Sequence, residues 1–194
     1  MPGVQNFWNL PNIEPKRKFR WLLYFAGMHQ FIIKSVTKPS FNIGSSTHNF
    51  LQHQFNFPGR VTWQDVSITL VDPVNPDATR TLYEIIGAAG YVLPQNVLDG
   101  PAGKATISKA GMVANLGNFI RIDQIAATGE GQILESWRLN NPQLTSVNFD
   151  GLDYGSDEAL NISVGIKYDW AELNPEGVTV AENTTFNYSA TPGA

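Results

Sequence analysis

The longest regular pattern in the chain runs from 160 to 170, where Leu160, Ile162, Val164, Ile166, Tyr168 and Trp170 alternate with Asn161, Ser163, Gly165, Lys167 and Asp169. A period of two predicts one β-strand with a wet face and a buried face, and it assigns the Trp170 ring to the core. Val66, Ile68 and Leu70 opposite Ser67 and Thr69 predict another strand over 65–71. Runs of β-branched and aromatic residues set between Gly, Pro, Asn and Ser predict strands over 17–25, 29–36 and 41–54. A hairpin is predicted over 118–126 and 132–139, joined by Thr128-Gly129-Glu130-Gly131.

The period changes at 77–89, where Leu82, Ile85, Ile86 and Ala89 recur at helical spacing after a Pro76-Asp77 start signal and before Gly90. The Gly/Pro-rich run 98–103 reads as a loop, and 104–115 as a helix weakened by Gly111 and β-branched residues. Strands both precede and follow the helical insert, so the fold class is mainly β, an antiparallel β-sandwich with a flanking α-helix. Three segments follow: an N-terminal arm over 1–16 carrying Phe7, Trp8 and Leu10, a sandwich domain over 17–173, and a flexible Asn/Thr/Ser-rich extension over 174–194.

Composition narrows the function. The chain has 194 residues, enough for one well-buried core, and its charged fraction of 15% is below the ~25% usual for soluble domains. So thin a charge coat points to surface meant for contact. The net charge of -4 argues against a protein that grips nucleic acid. With no cysteine there is no disulfide, thiolate metal site or thiol catalysis. The basic run Lys16-Arg17-Lys18-Phe19-Arg20 and the apolar 21–28 are too short and too late for a membrane span or a leader, so this reads as a buried strand of a soluble, unprocessed protein.

The candidate chemistry is sparse. Only His29, His48 and His53 offer a base near neutral pH, and five-residue spacing puts the last two on opposite faces of a regular strand, which disfavours a shared metal. Gly87-Ala88-Ala89-Gly90 lies at a helix end, where it stops the helix rather than cradling phosphate. Asp150, Asp153, Asp157 and Glu158 around Gly151 and Gly155 miss the calcium-loop spacing and read as a turn. The sequons at Asn161 and Asn183 are discounted. No catalytic residue, cofactor or metal is therefore assigned, and an enzyme is not expected. The stretch 48–57 carries Phe50, Leu51, Phe55 and Phe57 among Asn, Gln and His, which fits either an internal hairpin or an apolar arm for a neighbouring subunit.

Phe57-Pro58-Gly59-Arg60-Val61-Thr62-Trp63-Gln64-Asp65-Val66-Ser67-Ile68-Thr69-Leu70-Val71-Asp72, together with 147–170 and its Tyr168-Asp169-Trp170 ending, resembles the tail tube proteins of contractile-tailed bacteriophages. Lys38-Pro39 near the end of the second strand, Ser146-Val147-Asn148-Phe149 and Leu152-Asp153-Tyr154 also match, and the likeness covers about 17–172. The resemblance implies a structural subunit of the virion, assembled in the bacterial cytoplasm. Its sandwiches form a homohexamer, close a shared inner β-barrel and stack into a conduit inside a contractile sheath. The implied partners are further rings, the tail sheath protein, the tape-measure protein, and baseplate and tail-terminator proteins, with no membrane insertion. DNA would pass through the lumen without specific binding, which suits an acidic chain. Phe50, Leu51, Phe55 and Phe57 are the interface candidates. A tube-baseplate adaptor and the inner tube of a phage-derived injection device are close alternatives. A different alternative is a monomeric carbohydrate-binding sandwich using Trp21, Trp63, Trp137 and Trp170 as a sugar platform.

Overall fold

The computed structural model describes residues 16–94, 106–126, 131–175 and 177–179. Ten strands and two helices follow one another as β1 (Trp21–Tyr24), β2 (Ile33–Val36), β3 (Phe41–Phe50), β4 (His53–Trp63), β5 (Val66–Val71), α1 (Ala78–Ala88), α2 (Lys109–Asn115), β6 (Phe119–Ile125), β7 (Ile133–Asn140), β8 (Gln143–Asn148), β9 (Asn161–Lys167) and β10 (Trp170–Leu173). One antiparallel sheet has the order β1-β6-β7-β10 and the other β2-β5-β9-β8, while β3 and β4 form a separate ribbon.

Alternation explains the core. In one sheet Val36, Ile68, Val164 and Val147 lie in register across four strands, and in the other Leu23, Ile122 and Trp137 lie in register across three. Both rows belong to a single apolar cluster, which α1 closes with Ala78, Leu82, Ile85 and the following Ala89, and α2 with Met112. Helix α1 starts where expected. The Asp77 carboxylate accepts from the Arg80 amide at 2.8 Å, and Asp72 takes the Ala78 and Thr79 amides. Together they satisfy donors that a helix start leaves open. Gly90 holds φ at 115°, and a Cβ there would lie 2.4 Å from the Thr106 carbonyl oxygen, so only glycine ends the helix this way.

Several expected elements differ. The strand over 17–25 shortens to β1, and the strand over 29–36 begins with a 3-10 turn at Gln30–Ile32, because the Gln30 side-chain amide reaches back to both backbone groups of Leu23. The strand over 41–54 is two strands, split where Leu51 takes a φ of 51°. Helix α2 is only Lys109–Asn115, capped by Ser108, whose hydroxyl accepts from the Gly111 amide at 3.0 Å. The hairpin of β6 and β7 is present as predicted, although most of its turn lies outside the described residues. The arm over 1–16 except Lys16, the loop over 98–103, Asn183 and most of the extension over 174–194 also lie outside them.

The single strand over 160–170 is likewise two. Strand β9 ends at Lys167, and the chain then crosses to the opposite sheet as β10. Asp169 holds the crossing, with its amide donating to the Asn140 carbonyl and its carboxylate accepting from Lys109 and Asn141. The alternation is reset there. Tyr168 is buried, but Trp170 is 45% exposed and not in the core as the periodicity had placed it. Trp21, Trp63 and Trp137 instead pack, partly buried, against the apolar cluster. Among the described residues no helix is long and apolar enough to cross a membrane.

Candidate assembly surfaces

The ribbon of β3 and β4 sets the character of the surface. A two-stranded ribbon standing alone is marginal in water, yet this one extends over 10 and 11 residues, roughly 34 Å, and every residue except half-buried Trp63 is exposed. Register gives it two unlike sides. His48 pairs with Phe55, Phe50 with His53, and Ser46 with Phe57, so His48, Phe50, His53, Phe55 and Phe57 share one side. Thr47, Asn49, Gln54 and Asn56 occupy the other.

The two histidines expected on opposite faces therefore lie on the same one, because the turn at 51–52 reverses the chain between them. Among the described residues no three His, Cys, Asp or Glu side chains converge as a metal site. All four interface candidates sit at or near the ribbon tip, with Phe50 60%, Leu51 87%, Phe55 49% and Phe57 55% exposed. Exposed aromatics on one side of a free ribbon are a sticky stripe. Sequence reasoning missed that the stripe alternates with amides at a period of two on both strands, a signal present in the residues themselves.

At the ribbon base the apolar side changes. A bulge between Ile43 and Ser45 sets Gly59 and Arg60 opposite Gly44, and a Cβ on Gly59 would lie 3.1 Å from the Gly44 backbone. Past the bulge Phe41, Ile43, Val61 and Trp63 share the side that carries the amides at the tip. Phe41 meets Trp63 edge-on at 5.3 Å, and Trp63 lies 5.9 Å from Tyr168. The body thus uses one side of the ribbon, and the tip aromatics lie on the other.

The second surface is a groove of about 1180 Å³ between β1 and β2, the edge strands of the two sheets. Trp21, Phe31 and Trp137 line it, and Lys16, Lys18, Lys34 and Lys38 ring it. Glu135 ties part of the rim together. Burial alone would raise its pKa, but hydrogen bonds from Lys16, Lys38 and the Trp137 indole more than offset that and hold the carboxyl at about 2. Lys18 and Lys34 have no carboxylate within ion-pair distance among the described residues.

The third surface is the loop between β8 and β9. Asp150 and Asp153 each accept a nearby backbone amide, as turn residues do, so the acidic run shapes a loop as expected. The loop is exposed throughout 149–159, including Leu152 and Tyr154.

No protein-family model and no curated protein matches the chain by sequence. The fold does have relatives. A chain in the cryo-EM structure of the anti-feeding prophage cap, the AFP tube terminating cap, superposes with a TM-score of 0.60 at 18% identity, over 82% of this chain and 91% of that one. The PVC sheath/tube terminator of an extracellular contractile injection system gives 0.61 at 13% identity, over 84% and 98%. The PVC sheath-tube complex in the extended state gives 0.58 at 15%, over 83% and 92%. The fold is that of tube and terminator proteins of contractile injection systems, in keeping with the tail tube family that the sequence resembles.

Proposed function

We propose that this chain is a structural subunit of a contractile tail tube. Six copies form a ring, rings stack into a hollow conduit inside a sheath, and DNA and tape-measure protein pass through without any chemical step. The observation that carries the reading is the free ribbon with its one-sided aromatic stripe, on a fold shared with tube and terminator proteins. Cyclic closure among identical copies covers such a stripe and pairs the open strand edges β1, β2, β8 and β10. The absence of a strong positive balance suits a lumen that must release phosphate, and sheath, baseplate and terminator proteins would meet the exterior and ends.

Electron microscopy of the purified protein tests this: rings or tubes support it, and a persistent monomer at high concentration refutes it. A second reading, favoured by the similarity to the AFP cap, is a ring that ends the tube. Such a protein would give single rings that do not stack at any concentration.

A further inference from the structure

The basic groove and the acidic loop are complementary in three respects. The groove is lined by four lysines, two of them without a carboxylate partner among the described residues, and by Trp21, Phe31 and Trp137; Lys34 donates to the Asn161 side-chain carbonyl at 3.0 Å. The loop over 149–159 carries Asp150, Asp153, Asp157 and Glu158 and no basic residue. None of those carboxylates has a Lys or Arg within ion-pair distance among the described residues. Leu152 and Tyr154, 91% and 111% exposed, are apolar groups that a self-contained molecule would have reason to cover.

We propose that the groove between β1 and β2 receives the β8–β9 loop of a second copy of this chain, with Leu152 and Tyr154 on the aromatic floor and the four carboxylates among the rim lysines. The groove opens at the β2 edge of one sheet, whereas the loop leaves the β8 edge of that same sheet. Donor and acceptor surfaces therefore differ, and in the ring proposed above the contact is head-to-tail: each copy offers a loop to one neighbour and a groove to the other. Repetition of such a contact closes a ring or continues as a stack. Charge here fixes which neighbour is accepted and in what register, while the two apolar side chains supply the anchor. The inference rests on the assembly proposed above and names the surfaces that mediate it.

Charge reversal tests the contact. Lys18→Glu with Lys34→Glu reverses rim residues that do not touch Glu135, and Asp153→Lys with Asp157→Lys reverses the loop. Each pair alone is expected to raise the critical concentration for assembly by about tenfold or more, and the four changes together to restore it. Circular dichroism and thermal melting check that each variant is folded. Because the chain has no cysteine, mixing a Lys18→Cys copy with an Asp153→Cys copy gives a second readout, a crosslinked dimer on oxidation that neither variant forms alone. Rings that form equally well in all variants, with no crosslink, overturn the pairing and leave tube assembly standing; the groove then serves the first fifteen residues or another protein. A wild-type chain that never assembles overturns both.

Discussion

Replacing Phe55 and Phe57 together by Ser separates an assembly role from a folding role. The two rings are 49% and 55% exposed, so about half of each has already been removed from water within the ribbon. Burying a whole Phe side chain is worth about 1.5–3 kcal/mol, which leaves roughly 1 kcal/mol per ring to be gained only when a neighbour covers it. The pair therefore contributes about 2 kcal/mol to each intersubunit contact, or about a 30-fold change in its dissociation constant. Loss within the folded subunit is smaller than that sum suggests, because the ribbon is separate from the main core and its tip has room to readjust. Sedimentation of a concentration series gives the critical concentration for assembly, and thermal melting of the dissociated subunit gives its stability. A marked rise in critical concentration with a melting temperature changed by only a few degrees is expected. An unfolded subunit, or assembly at the wild-type concentration, would refute the assignment of the stripe.

Further outcomes follow from named contacts. Glu135, held at about 2 against an ordinary 4.5, stabilises the fold above its unfolded pKa, and that contribution is lost as pH falls from about 4.5 to 2. Glu135→Gln should flatten this part of a urea-denaturation profile, while an unchanged acid limb would discount the lysine contacts. Gly90→Ala should cost on the order of 2 kcal/mol or more, since it combines a positive φ with a contact of 2.4 Å on backbone; wild-type melting would contradict that geometry. Assembly should tolerate EDTA and dithiothreitol equally, as no metal is assigned and no cysteine is present. Tubes that dissolve in EDTA would show an ion in the interface.

Legibility in the sequence followed the length and regularity of each pattern. The alternation over 66–70 and 162–168 and the helical spacing of Leu82, Ile85 and Ala89 each extend over at least two repeats, and each became a buried face. What failed were places where one residue redirects the chain. Nothing in the period around Trp170 announces that Asp169, held by Lys109, Asn141 and Asn140, carries the strand to the other sheet. Strand β8 was not foreseen because Gln143, Thr145 and Ser146 at a sheet edge lack the apolar repeat that marks an inner strand. The turn at Leu51 was hidden because a leucine, not glycine or asparagine, takes the positive φ. The groove was invisible to any local pattern, since Lys18, Lys34 and Trp137 meet only after folding.

The bulge at Gly44 and Gly59 amounts to one surplus residue, and it acts as a phase setting for the ribbon. Because of it Phe57 and Trp63, six positions apart on β4, face opposite sides, where an unbroken alternation would put them on one. Deleting Arg60 would set Gly59 opposite Gly44 and leave both faces where they are, whereas keeping Arg60 in an unbulged ladder would turn the aromatic rings to the body side or take Trp63 from Tyr168. The facing of the ribbon is therefore set by whether the surplus residue is absorbed at Gly44 and Gly59, not by its composition. Loss of that bulge at constant length is thus a direct route to altering how copies of the chain meet.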